Sequence, residues 1–229
     1  VRRGRVEDLT PLLVALSDPV AGIRQTAAIA LGLLGDPRAA TTLATALQDP
    51  DPAVRGSVAE ALGHAGRPDT RSALEAVLAD PDSHVRRKAA DALATIADPG
   101  SVAALGVCLM DPVGDVRAAV ARTLGRIGTI EAHRGLERLL SDPSDRVRRE
   151  AVLGIGRGAR PEALPQVRRM LDDPARRVRA AAAVITGRFQ DREAIPRLLE
   201  ILDGEETWEK PSVLDRKSTR LNSSHCDCI

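Results

Sequence analysis

Tyrosine is absent from this 229-residue chain, and Phe and Trp occur once each. An aromatic share of 1% leaves no platform for stacking nucleic-acid bases and no material for an aromatic ligand cage. Cysteine is nearly as scarce. Cys226 and Cys228 stand close to the end, and Cys108 is the only other one. No disulfide framework is expected from these, which points to a reducing, cytoplasmic setting. No run is long and apolar enough to span a membrane. His64, His84 and His133 are far apart, so no metal site is expected. There is no Gly-rich phosphate loop and no nucleophile elbow. Gly154, Gly156 and Gly158 alternate, but no strand precedes them. The chain therefore reads as a non-enzyme with no catalytic residue, no metal and no cofactor.

What is present is a repeat. Asp-Pro opens at Asp18, Asp49, Asp80, Asp111, Asp142 and Asp173, in steps of 31 residues. Five residues after each Asp comes a β-branched aliphatic: Ile23, Val54, Val85, Val116, Val147 and Val178. An Arg follows each: Arg24, Arg55, Arg86, Arg117, Arg148 and Arg179. Two residues before each Asp is Leu, from Leu16 to Leu171, and Leu202 extends that series. Self-similarity at such a period marks an array of stacked units rather than a single globule.

Each unit reads as two helices. Leu74, Val77 and Leu78, like Leu136, Leu139 and Leu140, fall on one helical stripe. Proline then prevents plain continuation of the helix. The second helix begins at an N-cap, filled by Asp51, Asp82 or Ser144, and buries Val54, Val58, Ala61 and Leu62. Gly32, Gly63, Gly125, Gly156 and Gly187 are expected at its C-terminal end, in left-handed backbone. Ala and Leu must fill the core, since 43% of the chain is apolar and so little of it aromatic. The expected fold is all-α, a solenoid of six to seven two-helix units over residues 1–205.

The unit Asp-Pro-x-x-x-Val-Arg-x-x-Ala-x-x-x-Leu-Gly resembles the short HEAT-like repeats associated with phycobilin lyases. That resemblance implies a helical scaffold for protein–protein interaction, with the second helices lining the concave surface. It also offers a bilin-lyase-like modification factor as an alternative. The iron-binding HEAT-like hydroxylases use adjacent His-Glu pairs, which this chain lacks. The tetratricopeptide and ankyrin signatures do not recur.

The two ends depart from the pattern. Val1 aligns with Gly32 one period on, so residues 1–4 read as the tail of a helix that begins earlier. Residues 206–214 are a broken repeat, with Trp208 and Pro211 where a second helix should start. Residues 215–229 resemble a translated sequencing adapter and are set aside, together with Cys226 and Cys228. Cys108 takes the register position of Val77 and Leu139, which makes it a core thiol.

The polar ladders and the charge remain. Asp and Arg could form a catalytic pair, but one that recurs in every unit is better read as structural, with each carboxylate held by its turn and by a ladder Arg. Net charge is +1 and uneven. Residues 1–115 hold 11 basic and 15 acidic side chains, whereas residues 116–190 hold 16 and 8. Positions two, six and ten after the β-branched residue share a face of the second helix and vary between units, as a binding groove requires. On it lie Arg122, Arg126, Arg157 and Arg188, with Arg87 and Arg149 at the first of those positions. These six are the candidate partner-binding residues. The expected partner is an acidic protein, with a nucleic-acid backbone as the alternative.

Overall fold

A computed structural model of the chain describes residues 8–65, 70–158 and 161–204. They form thirteen α-helices and no strand. In order these are α1 (Thr10–Ala15), α2 (Ala21–Leu34), α3 (Ala40–Ala46), α4 (Pro52–Ala65), α5 (Arg71–Val77), α6 (Ser83–Ile96), α7 (Val102–Val107), α8 (Gly114–Ile127), α9 (Ile130–Leu139), α10 (Asp145–Arg157), α11 (Leu164–Arg169), α12 (Arg176–Arg188) and α13 (Ile195–Gly204). Two compact units result, one ending at Phe189 and the other starting at Gln190. The described part of the latter is a 3₁₀ turn, Arg192–Ala194, followed by α13. The first four residues, the broken repeat at 206–214 and the adapter-like tail lie outside the described residues.

In the unit that ends at Phe189, short and long helices alternate as the repeat requires. Several first helices begin with a 3₁₀ turn that proline starts, as at Pro37–Ala39 and Pro99–Ser101. The preceding Asp36 or Asp98 accepts a hydrogen bond from the amide two residues on. Helix α9 has Ile130 at that position and a Thr129 cap, so it runs ten residues without the break. The second helices α2, α4, α6, α8, α10 and α12 pack successively against one another, while the first helices chiefly pack against the second ones.

The core follows from the register. Val54, Val85, Val116, Val147 and Val178 are buried, as are Leu31, Leu62, Leu93, Leu124 and Ile155, which lie about two helical turns after the β-branched position of their units. Leu43, Leu74, Leu105, Leu136 and Val167 meet them from the first helices. Full burial of each such side chain is worth about 1.5–3 kcal/mol. Cys108 is buried among these residues as expected, its Sγ donating to the Leu78 carbonyl at 3.7 Å. Burial raises its thiol pKa, and nearby Asp111 adds to the effect. Ile23, first in the β-branched series, is largely exposed, and so is Leu202.

The expected role of the repeat glycines is corrected. Gly32, Gly63, Gly125, Gly156 and Gly187 lie within their helices, not in left-handed caps. Left-handed backbone occurs three residues later in the frame, at Gly35, Ala97, Gly128 and Gln190. What the repeat glycine provides is close approach of successive second helices. A Cβ on Gly32 would lie 2.8 Å from the Cα of Ala61, and one on Gly63 would lie 2.8 Å from the Cα of Ala92. On Gly125 it would lie 2.4 Å from the Cα of Gly154. Gly187 is the exception, with open space around it.

The caps also differ in part. Asp82 accepts from the amides of His84 and Val85, and Asp51 from that of Ala53. Ser144 occupies the N-cap position without a side-chain cap bond. Its own amide instead donates to Asp142, the ladder aspartate two residues earlier. The same bond runs from Asp51 to Asp49 and from Asp82 to Asp80, so the ladder aspartate organises the turn whatever the cap residue is.

Candidate binding face

The two polar ladders form one device. Five of the six ladder arginines grip the Asp of the next unit, 25 residues on, through two parallel bonds: Arg24 to Asp49, Arg55 to Asp80, Arg86 to Asp111, Arg117 to Asp142 and Arg148 to Asp173. The distances run from 2.6 to 3.0 Å. The remaining terminal nitrogen of Arg86 reaches back to the carbonyls of Asp80 and Pro81 in its own turn, at 2.9 and 3.1 Å. One guanidinium thus ties its own Asp-Pro turn to the following one. Planar, bidentate geometry of this kind suits Arg and not Lys.

These pairs are largely withdrawn from water, with the Arg86 side chain 13% exposed and that of Asp111 6%. Burial alone would raise the carboxyl pKa values of Asp80, Asp111, Asp142 and Asp173; the Arg bonds and the turn amides outweigh it and hold them below the usual range. For Asp49 the bond from Arg24 is the main cause of the lowering. The bonds to Asp in turn raise Arg24, Arg55, Arg86, Arg117 and Arg148. Groups so fully engaged are structural, as the recurrence in every unit indicates.

The variable face of the second helices is largely solvent-accessible at its two outer positions. Ile29 and Leu33 on α2, Glu60 and His64 on α4, Thr95 on α6, Arg126 on α8, Arg157 on α10, and Val184 and Arg188 on α12 are exposed. The amino-terminal part of this strip is apolar. Its middle is a charge network: Lys88 donates to Glu60 at 2.7 Å, and Arg122 to Asp91 at 2.8 Å. Arg87 also approaches Asp91, at 3.5 Å. A small polar cleft lies there, lined by Glu60, Gly63, His64, Lys88, Asp91, Ala92 and Thr95.

The six candidate arginines therefore fall into two groups. Arg87 and Arg122 share Asp91, and Arg149 pairs with Glu150 at 2.8 Å. Arg126, Arg157 and Arg188 stand at the same position of consecutive second helices, exposed, and with no acidic partner among the described residues. A terminal guanidinium nitrogen of Arg126 donates to the Ala94 carbonyl at 3.3 Å, which holds the group but leaves its charge uncancelled. Beside this basic track runs a more apolar one, with Leu153 half-buried and Val184 exposed. The pairing of Arg122 was readable in the sequence, since Asp91 lies one period before it at the same repeat position.

His64, His84 and His133 stay separate, and no cluster of three or more His, Cys, Asp or Glu suited to a metal exists among the described residues. His133 is buried, with Nδ1 at 2.9 Å from the Thr129 carbonyl and its ring against Gly158. No helix among the described residues is long and apolar enough to cross a membrane.

An alternation of short and long helices, clamped unit to unit and presenting one variable face, defines an α-solenoid of two-helix repeats. The chain belongs to the HEAT repeat family, whose model matches residues 9–90, 72–146 and 133–210. Among solved structures it is similar to YibA of Escherichia coli, at 25% identity over 86% of this chain and 74% of that one, with a TM-score of 0.65. It is also similar to the complex of CpcE and CpcF of phycocyanin lyase from Nostoc sp. PCC7120, at 23% identity, 82% and 79% coverage and a TM-score of 0.63. A designed armadillo repeat protein in complex with the peptide (KR)4 matches at 19% identity, 79% and 98% coverage and a TM-score of 0.59. Curated proteins yield no match.

Proposed function

We propose that this HEAT-repeat chain is a protein-interaction scaffold that binds an acidic segment of a partner along its second-helix face. The observation that carries the reading is the track of Arg126, Arg157 and Arg188, exposed and unmatched by acids among the described residues. The ladder arginines from Arg24 to Arg148 and the mid-face charges are engaged with acids, so on the second-helix face this track is where the positive excess of residues 116–190 can act outward. A guanidinium binds carboxylates in two-point fashion, and Val184 beside Arg188 offers an aliphatic contact. The designed armadillo protein provides an architectural parallel of opposite sign, since its peptide is basic.

Likeness to phycocyanin lyase reaches only the fold, and no residue here carries chromophore chemistry. Nucleic acid would meet the same arginines without stacking partners, given the near absence of aromatics. The test is fluorescence anisotropy with a labelled oligoglutamate peptide and, in parallel, a labelled single-stranded oligonucleotide. Replacing Arg126, Arg157 and Arg188 with Gln should weaken peptide binding at least tenfold while leaving the melting curve in place. Unchanged peptide binding would remove the proposal. Tighter binding of the oligonucleotide, with a steep salt dependence, would replace it with the nucleic-acid reading.

A further inference from the structure

A second surface departs from the repeat, at the end of the first helices in the fourth and fifth units. The cleft there has a volume of about 450 Å³ and is lined by Gly106, Leu109, Met110, Pro112, Arg138 and Leu139, among others. It lies within the range of sites that accept small ligands or single side chains. Its floor includes the ladder pair Arg117–Asp142, whose charges cancel.

Met110 is the anomaly. It is 87% exposed, and one helical turn earlier Val107 is 80% exposed. The position of Met110 in the other units holds Ser17, Gln48, Ala79, Ser141 and Asp172. Two residues into the next helix start, Val113 stands where units two and three have the capping Asp51 and Asp82. The first unit also exposes valines at the two aliphatic positions, Val14 and Val20, so the thioether of Met110, whose counterparts are all small or polar, is what sets this turn apart. Met is unbranched and adaptable, which makes it a usual component of surfaces that receive apolar side chains.

The charge at this cleft has one sign. Asp111 and Asp142 are held by Arg86 and Arg117. Arg138, exposed in the last turn of α9, has no acidic partner among the described residues. An occupant must therefore bring an aliphatic group for the cleft and a carboxylate for Arg138. The exposed side chains of Val107 and Met110 continue the apolar surface beside the cleft, as a peptide segment with an aliphatic residue next to an acid would use. We propose that this cleft docks a partner-protein segment in which an aliphatic residue is followed closely by Glu or Asp, through contacts separate from the second-helix arginine track.

The probe is a capped peptide, acetyl-Gly-Ser-Leu-Glu-Leu-Gly-Ser-amide, titrated into the full chain labelled with ¹⁵N. Amide shifts are expected to concentrate in residues 106–143. Met110→Ser installs the residue that the next unit carries at Ser141, so folding should survive; it should weaken binding at least fivefold. Changing the peptide's Glu to Lys should abolish binding to the native chain and restore it with Arg138→Glu. The Gln variant of Arg126, Arg157 and Arg188 should bind this probe normally, which separates this proposal from the preceding one. Shifts confined to the second helices, or indifference to Met110→Ser, would overturn it. So would octanoate shifting residues 106–143 where the peptide does not, which would indicate a small-molecule site. A concentration-dependent dimer in sedimentation that Met110→Ser abolishes would equally overturn it, in favour of a second copy as occupant.

Discussion

Asp111→Ala tests the central claim that the ladders hold unit to unit. The carboxylate accepts from Arg86 at 2.7 and 3.0 Å and from the Val113 amide at 2.8 Å, so the substitution strands one guanidinium and one turn donor. Breaking a buried ion pair by removing one partner costs about 3–5 kcal/mol. Here Arg86 keeps the Asp80 and Pro81 carbonyls and a sliver of water contact, so the lower end, about 3 kcal/mol, is expected. For an array of this size that corresponds to a fall of roughly 6–12 °C in the melting midpoint. Because units couple only to neighbours, the loss should also broaden the transition, as the array yields between the third and fourth units first. Urea titration followed by circular dichroism provides the measurement. Asp115→Ala is the control, since the Arg146–Asp115 pair is exposed and should be worth under about 1 kcal/mol. Pairing Asp111→Leu with Arg86→Met should recover much of the loss, because no charge is then left unmatched. Equal, small effects of Asp111→Ala and Asp115→Ala would refute the clamp.

The ladder carboxyls titrate below their ordinary value in the folded chain, so the stability they supply is complete above the unfolded pKa of about 4 and is lost as pH falls through the folded values; urea midpoints measured from pH 7 down to pH 2.5 should hold level and then drop, and less so for Asp111→Asn. Gly125→Ala should destabilise by about 1–3 kcal/mol, since its Cβ would sit 2.4 Å from the Gly154 Cα. Gly187→Ala, in the last turn of α12 with nothing within 4 Å, should instead stabilise, by up to about 0.5–1 kcal/mol. Ala97→Gly should gain up to about 1 kcal/mol, because Ala97 is held at φ 52°; thermal melts of these three variants against the native chain check all of them.

The architecture was legible because a 31-residue period repeats its buried positions without interruption. From Val54 to Val178 the series needed no tertiary knowledge to place it inside. The glycines were misread for a physical reason: a residue near a helix end is compatible both with a left-handed cap and with close packing, and only the neighbouring helix distinguishes them. The same holds for the candidate arginines. Periodicity places Arg122 and Arg126 on one face, but whether a charge is available depends on what the adjacent unit presents, which for Arg122 is Asp91 and for Arg149 is Glu150 in its own helix. Arg138 and Met110 escaped notice because attention to one shared face passes over a turn whose oddity appears only when its counterparts are compared position by position.

From Arg24 to Arg148 each ladder Arg reaches forward to the aspartate 25 residues ahead, and this has a bearing on how such a chain can change over generations. Excising residues 87–117 would bring Arg86 into the register that Arg117 now holds, facing Asp142 across an unchanged interval. The joint would be chemically the same as the one removed. Gene slippage in whole periods can therefore shorten or lengthen the array without passing through a sequence that lacks a partner for its clamp. Only the variable face would record the event, as one strip of contacts fewer or more for whatever lies along it.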